Sequence, residues 1–188
     1  MEIITPTEFK KQEEKFCEKI TKGAIFIYPT DTIYGIGCNA HNATSINLIR
    51  KLKQRPTQPF SICVPSKIWI KQHCTIDKKI QQAINKLPGP YTLLLQLKNK
   101  KAIASNVNGN LETVGVRITK HWFQRYIFKM DLPIVTTSVN KHGQPFMTSL
   151  GNLNPNFERN VEFCIYEGPK DGRPSTIIDP QKEEYKER

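Results

Sequence analysis

Five short polar stretches in this chain carry the side chains best suited to chemistry. They are Thr30-Asp31-Thr32, Lys53-Gln54-Arg55, Arg117 within Val114-Gly115-Val116-Arg117-Ile118, Thr136-Thr137-Ser138-Val139-Asn140, and Ser175-Thr176. Hydroxyl and amide groups suit phosphate oxygens and carboxylates, and fixed cations suit a polyphosphate. Each stretch also has a plainer reading. Lys53 and Arg55 could complement a helix C-terminus, Arg117 could pair with a carboxylate across a sheet, and Ser138 and Asn140 could be turn formers. No single stretch decides between the two.

Other chemistries find less support. The chain has no Gly-x-x-x-x-Gly-Lys-Ser/Thr loop. Gly35-Ile36-Gly37-Cys38-Asn39-Ala40 matches the loose dinucleotide fingerprint, but it lies seven residues beyond the apolar run Ala24–Tyr28. No acid stands about twenty positions later to hold a ribose. These glycines are expected instead to let the backbone turn closely beside a sheet. His41, His73, His121 and His142 lack ligand spacing, and Ser138 lacks the glycines of a nucleophile elbow, so no protein metal site and no hydrolytic triad is expected. The five cysteines, odd in number and without a Cys-x-x-Cys pair, read as small core residues.

The elements that must position the polar stretches alternate between helix and strand. Residues 6–21 have helical spacing with Phe9, Phe16 and Ile20 apolar, and Gly23 closes the segment. Residues 24–28 read as a buried strand feeding the loop at Thr30. Asn42 caps a helix with Ile46, Ile49 and Leu52 on its apolar face, stopped by Pro56. Further strands are expected at 60–64, 91–97, 113–118, 133–137, 161–166 and 175–179, with helical stretches over 66–87 and 120–129. Strands apolar on both faces, interleaved with helices, predict an α/β fold whose twisted mixed sheet is covered by helices. No repeat or linker divides the chain, so residues 1–188 are read as a single domain.

Composition adds bounds rather than a function. Lys and Arg number 28 against 17 Asp and Glu, a net charge of +11 that favours polyanionic partners such as nucleotides or RNA. The basic residues are scattered rather than blocked, so a merely solvated surface remains the alternative. No apolar run approaches the roughly 20 residues of a membrane span. With a charged N-terminal stretch, this reads as a soluble cytoplasmic protein.

Tyr28-Pro29-Thr30-Asp31-Thr32-Ile33-Tyr34-Gly35-Ile36-Gly37 resembles the opening motif of the YrdC/TsaC family of threonylcarbamoyl-adenylate synthases. Lys53-Gln54-Arg55-Pro56 is similar to its Lys-x-Arg signature and Ser138-Val139-Asn140 to its Ser-x-Asn signature. Pro88-Gly89-Pro90-Tyr91-Thr92, Val116-Arg117-Ile118 and Ser175-Thr176-Ile177-Ile178-Asp179 follow in family order, so the likeness spans about residues 20–180. Two departures stand out. Pro56-Thr57-Gln58-Pro59-Phe60 is one residue shorter than in many members, and the chain ends soon after Asp179, like the short single-domain form.

The resemblance implies a YrdC-like fold with a basic concave face. It also implies that L-threonine, bicarbonate and ATP are converted to threonylcarbamoyl-AMP and pyrophosphate. A separate transferase complex would then modify the tRNA adenosine beside the anticodon, which makes tRNA or RNA affinity an expectation as well. In that reading Lys53 and Arg55 meet the ATP phosphates as the catalytic cations, and Ser138 and Asn140 hold the nucleotide end. Thr32, Arg117, Thr136 and Ser175 form the threonine pocket, with Arg117 on the carboxylate. Mg²⁺ arrives on the phosphates with few protein ligands, and Asp31 is a candidate to touch it at a position where families of this kind often carry another acid. A non-catalytic RNA-binding protein with this fold is the alternative.

Overall fold

The computed structural model describes residues 1–187. Its centre is one ten-stranded mixed sheet. In chain order the strands are β1 (Glu2–Ile4), β2 (Phe26–Pro29), β3 (Tyr34–Gly37), β4 (Ser61–Cys63), β5 (Tyr91–Gln96), β6 (Thr113–Arg117), β7 (Ile134–Ser138), β8 (Phe163–Ile165), β9 (Thr176–Asp179) and β10 (Glu184–Lys186). Across the sheet they run β1-β8-β2-β3-β7-β4-β6-β5-β9-β10. Parallel pairs (β1–β8, β2–β8, β4–β6, β5–β9) mix with antiparallel ones (β2–β3, β3–β7, β4–β7, β5–β6, β9–β10).

Side chains alternate between the faces of a strand, and here the two faces are covered unequally. One face presents Ile62, Leu93, Leu95, Val114, Val116 and Val135. They share a core with α3 (Ala43–Lys53), α4 (Lys67–His73) and α5 (Lys78–Asn85), through residues such as Ile46, Ile49, Ile70 and Ile84. On the opposite face Phe26, Tyr28, Cys63, Ile134, Phe163 and Ile165 pack beneath α1 (Pro6–Lys11), α2 (Glu13–Lys22) and α6 (Gln124–Met130). Phe9, at a centroid distance of 4.9 Å from Tyr126 and 5.5 Å from Phe16, ties these three helices together. That second cover stops short. The next residues of alternating parity on this face are Ser61, Gly115, Arg117, Thr136 and Ser138, and they line hollows instead of helices.

Several expected elements take a different form. The helical stretch from 6 to 21 is two helices meeting at Gln12, whose φ of −120° leaves the helical region. The start is set by a capping box in which Thr5 Oγ accepts from Glu8 N while the Glu8 carboxylate accepts from Thr5 N. Helix α3 ends at Lys53, before Pro56. Gln54 is its C-cap and takes a left-handed φ of 52°, while Arg55, the residue before Pro56, is the one that the proline disfavours from the helical region. Gly35 and Gly37 are not in a turn but inside strand β3. A side chain at Gly37 would run into the Val135 carbonyl and Ile134, so these glycines serve close strand approach. Strands β1, β3 and β10 and helix α7 (Pro155–Asn160) lie outside the sequence expectations.

All five cysteines are free, and Cys38, Cys63, Cys74 and Cys164 are buried, as expected for small core residues. No helix among the described residues is long and apolar enough to cross a membrane.

Candidate functional site

The open part of the second face holds two adjoining hollows with Ser61 in the wall of both. The first, about 230 Å³, lies where β3, β7, β4, β6 and β5 bring Gly35, Thr136, Ser138, Ser61, Arg117 and Thr92 side by side. Thr30, Tyr34, Asn140, Phe146 and the Pro174-Ser175 segment complete its walls. The second, about 270 Å³, is bounded by Arg55, Phe60, Leu94, Gly115, Ile177, Asp179 and residues of β10. Gly115 keeps the floor between them at backbone level, for a Cβ there would stand 2.5 Å from Ser61 Oγ and 2.9 Å from Thr92 Cγ2.

Arg117 ends β6 and is 6% exposed. Its Nη2 donates to Asp31 Oδ1 at 2.9 Å and to Thr32 Oγ at 3.3 Å. Beyond Thr32 the bonds continue in one direction: Thr32 Oγ lies 3.0 Å from Thr30 Oγ, which donates to the Ile33 carbonyl at 2.7 Å. Aligned donors of this kind polarise one another and fix the loop after β2. Arg117 Nε is buried without a hydrogen-bond partner among the described residues. Across the same hollow the Ser175 and Thr92 hydroxyls bond each other at 2.7 Å, both fully enclosed.

Lys53, 2% exposed, does not complement the end of its helix. Its Nζ reaches the end of β7 and the turn after it, donating to the carbonyls of Ser138 (2.5 Å) and Asn140 (2.9 Å) and to Asn140 Oδ1 (3.0 Å). Ser138 Oγ donates to the same Asn140 Oδ1 at 2.7 Å. Lys53, Ser138 and Asn140 are thus one cluster at the rim of the first hollow. Arg55 stands apart in the second, with Nη2 on the Pro59 carbonyl at 2.9 Å, the Phe60 ring centroid 5.6 Å away, and Nε buried without a partner among the described residues. Burial, and secondarily the neighbouring Arg50, lower its pKa.

Of the expected threonine-pocket residues, Arg117, Thr136 and Ser175 line the first hollow, and Thr32 reaches it through its bond to Arg117. Asp31, the acid expected near Mg²⁺, is engaged by protein donors on both oxygens. Its Oδ1 is taken by Arg117 and its Oδ2 by the Lys120 N–H at 2.9 Å. Among the described residues no group of three or more His, Cys, Asp or Glu is placed to hold a metal ion.

Ser61, Tyr34 and Phe146 stand outside the five polar stretches, yet all line the first hollow. Strand alternation could have flagged Ser61, two residues before buried Cys63, whereas Phe146 lies in a loop with no local signal. Tyr34 has a second task. Its hydroxyl donates to the Gly168 carbonyl at 2.6 Å and accepts from Glu167 N at 3.0 Å, pinning the segment that carries Pro174 and Ser175 over the hollow. Glu167 holds that segment from its other side, accepting from Trp122 Nε1 (2.9 Å) and Lys170 Nζ (2.7 Å) and facing His121 Nε2 (3.1 Å).

A mixed sheet covered by helices on both faces, one of them opening into a hollow of hydroxyls around one buried arginine, defines the class as an α/β protein with a pocket of small-molecule size. The family model described as "Telomere recombination", that of the Sua5/YciO/YrdC family, matches residues 18–187, and the chain belongs to this family. Among solved structures, P. abyssi Sua5 complexed with L-threonine is similar at 26% identity and a TM-score of 0.83, over 95% of this chain and 53% of that one. The chain therefore spans about half the length of that relative. The MTH1692 protein from Methanobacterium thermoautotrophicum is 31% identical, with a TM-score of 0.69 over 89% of this chain and 80% of that one. E. coli YciO shares the fold at 21% identity and a TM-score of 0.78, over 90% of this chain and 84% of that one.

Proposed function

We propose that this chain is an L-threonylcarbamoyl-adenylate synthase, a nucleotidyltransferase acting on L-threonine, bicarbonate and ATP for tRNA modification. The observation that carries the reading is Arg117, a buried guanidinium in the wall of a hydroxyl-rich hollow that it shares with Thr136 and Ser175. A hollow of about 230 Å³ suits an amino acid, and the solved complex of P. abyssi Sua5 contains L-threonine.

In this reading the threonine carboxylate accepts from Arg117, while Thr136, Ser175 and Thr32 surround the rest of the molecule. The amine adds to carbon dioxide derived from bicarbonate and loses a proton, giving a carbamate. A carbamate oxygen then attacks the α-phosphorus of ATP. The new P–O bond forms as the bond to the β-phosphate oxygen breaks, and pyrophosphate leaves with the electron pair. Such a displacement needs alignment and charge neutralisation rather than a protein nucleophile.

The second hollow takes the nucleotide, with Arg55 on the phosphates. Lys53 places its charge at the rim of the first hollow and shapes the Ser138–Asn140 turn. Mg²⁺ carried on the phosphates would supply further charge neutralisation there.

The test is mass spectrometry of products from ATP, bicarbonate and threonine, with each omitted in turn. Threonylcarbamoyl-AMP and pyrophosphate formed only when all three are present is the expected result. No nucleotide turnover, with salt-sensitive RNA binding instead, would replace this reading by that of a non-catalytic RNA-binding protein. The net charge of +11 is what favours that second reading. Hand-over to a threonylcarbamoyl transferase completes the proposed role.

A further inference from the structure

Arg50 lies on α3 ahead of Lys53, 8% exposed, and belongs to neither hollow described above. Its Nη1 donates to the carbonyls of Arg55 (3.1 Å) and Gln58 (2.9 Å). Nε donates to Asn106 (3.0 Å), and Nη2 to Asn106 (2.6 Å) and Val107 (3.1 Å). A guanidinium has five N–H donors, so none is left over for a ligand. Arg50 is therefore not an anion site.

What it does hold is a loop. Residues 54–60 contain no helix or strand, and two prolines deprive them of backbone donors. Among the described residues the Arg55 side chain has one hydrogen bond, to Pro59 in that same loop. Its guanidinium is thus fixed relative to the sheet only as well as the loop itself is fixed. Arg50 supplies that fixing by joining the Arg55 and Gln58 carbonyls to the turn at Asn106–Val107. Phe60 N adds a bond to the Val107 carbonyl at 2.9 Å. The Phe60 ring centroid lies 4.5 Å from the Arg50 guanidinium and 5.6 Å from that of Arg55, so both cations bear on the same ring.

We propose that Arg50 is a positioning residue that sets Arg55 for the phosphates of the nucleotide. This rests on the reading of the second hollow given above. Lysine cannot replace it, because an ammonium offers its donors from one point and cannot span four carbonyls on two segments.

The test measures ATP and pyrophosphate binding, and separately threonine binding, by titration calorimetry on the intact chain. The proteins are wild type, Arg50→Lys, Arg55→Ala and the double variant, each checked for folding by its denaturation midpoint. Arg50→Lys is expected to weaken pyrophosphate and ATP binding on the order of tenfold and to leave threonine binding unchanged. In the Arg55→Ala background it should add almost nothing, since a residue acting through another loses its effect when that other is gone. Equal losses in both backgrounds, or no loss in either, would overturn the proposal while leaving the nucleotide reading intact. A wild-type chain that binds neither ATP nor pyrophosphate removes that reading and the proposal with it. Should the lysine variant not fold, Arg50→Gln, which keeps two donors, is read by the same comparison.

Discussion

Asp31 and Arg117, 86 residues apart in the chain, meet as an ion pair of 2.9 Å with their side chains only 9% and 7% exposed. The pair joins the loop after β2 to the end of β6 and sits directly behind the hollow assigned to threonine. A buried guanidinium needs a counter-charge, and Asp31 provides it while leaving Arg117 Nε unpartnered. The Arg117 guanidinium is thereby held in place by the protein itself.

Removing one partner of such a pair strands the other charge in a dry environment, which typically costs about 3 kcal/mol or more. Asp31→Ala is expected to lower the unfolding free energy by about that amount. Asp31→Asn should lose less, because the amide oxygen can still accept from either donor. Urea denaturation of the three proteins checks this, and a loss under about 1 kcal/mol for Asp31→Ala would show that the pair is solvated.

Arg117→Ala tests the ligand side of the same residue. Threonine affinity should fall by about two orders of magnitude, the usual consequence of removing a charged partner from a carboxylate, with ATP affinity little changed. Threonine titrations followed by pyrophosphate release give both numbers. An unaltered threonine dependence would disconnect Arg117 from the amino acid.

Lys53 is buried and bonded to three oxygens, so Lys53→Ala leaves the Ser138 and Asn140 carbonyls without this donor as well as removing a charge. Pyrophosphate release should fall about 10²-fold or more, together with a measurable loss of stability. Lys53→Met, which fills the same channel without the charge, separates the two effects. Wild-type turnover in a folded Lys53→Met protein would remove Lys53 from the chemistry.

Acid should loosen the segment over the first hollow. Burial holds the His121 pKa below its ordinary 6.5, outweighing the opposing pull of Glu167. Burial, the largest single influence, pushes the Glu167 pKa up, but Lys170, Trp122 and His121 together outweigh it and hold the pKa below 4.5. Both groups therefore bind more protons in the unfolded chain. Their contribution to stability is full above about pH 6.5 for His121 and above about 4.5 for Glu167, and it is lost as pH falls through the lowered folded values. Denaturation midpoints measured between pH 7 and pH 5 should decline in the wild type and decline less in His121→Asn. Parallel curves would mean that His121 does not contribute.

Sequence patterning made the helix-and-strand alternation and the polar stretches legible, because each is local. Apolar periodicity marks α3, and buried runs mark β2, β5 and β7. It did not reveal β3, whose two glycines argue against a strand until Tyr28 and Val135 are seen packed beside them. Nor did it separate Lys53 from Arg55. Two residues apart in one motif, they face different neighbours, because Gln54 turns left-handed between them. The pairing of Asp31 with Arg117 depends on β4 and β7 lying between β6 and β3, a strand order that no local pattern encodes.

Gly115 offers the most direct test of the two-hollow arrangement. It lies between Ser61 and Leu94 in register, on the face that bears both hollows. An added methyl would stand 2.5 Å from Ser61 Oγ and 2.9 Å from Thr92 Cγ2, closer than side chains pack, so the strands or the Ser61 rotamer must shift. Gly115→Ala should therefore destabilise the fold by about 1–3 kcal/mol and weaken ATP binding more than threonine binding, since Gly115 lines the second hollow and not the first. Ser61→Ala in the same chain removes the clashing hydroxyl and should recover part of both losses. A Gly115→Ala protein that binds both ligands normally would mean that the nucleotide does not lie along this floor.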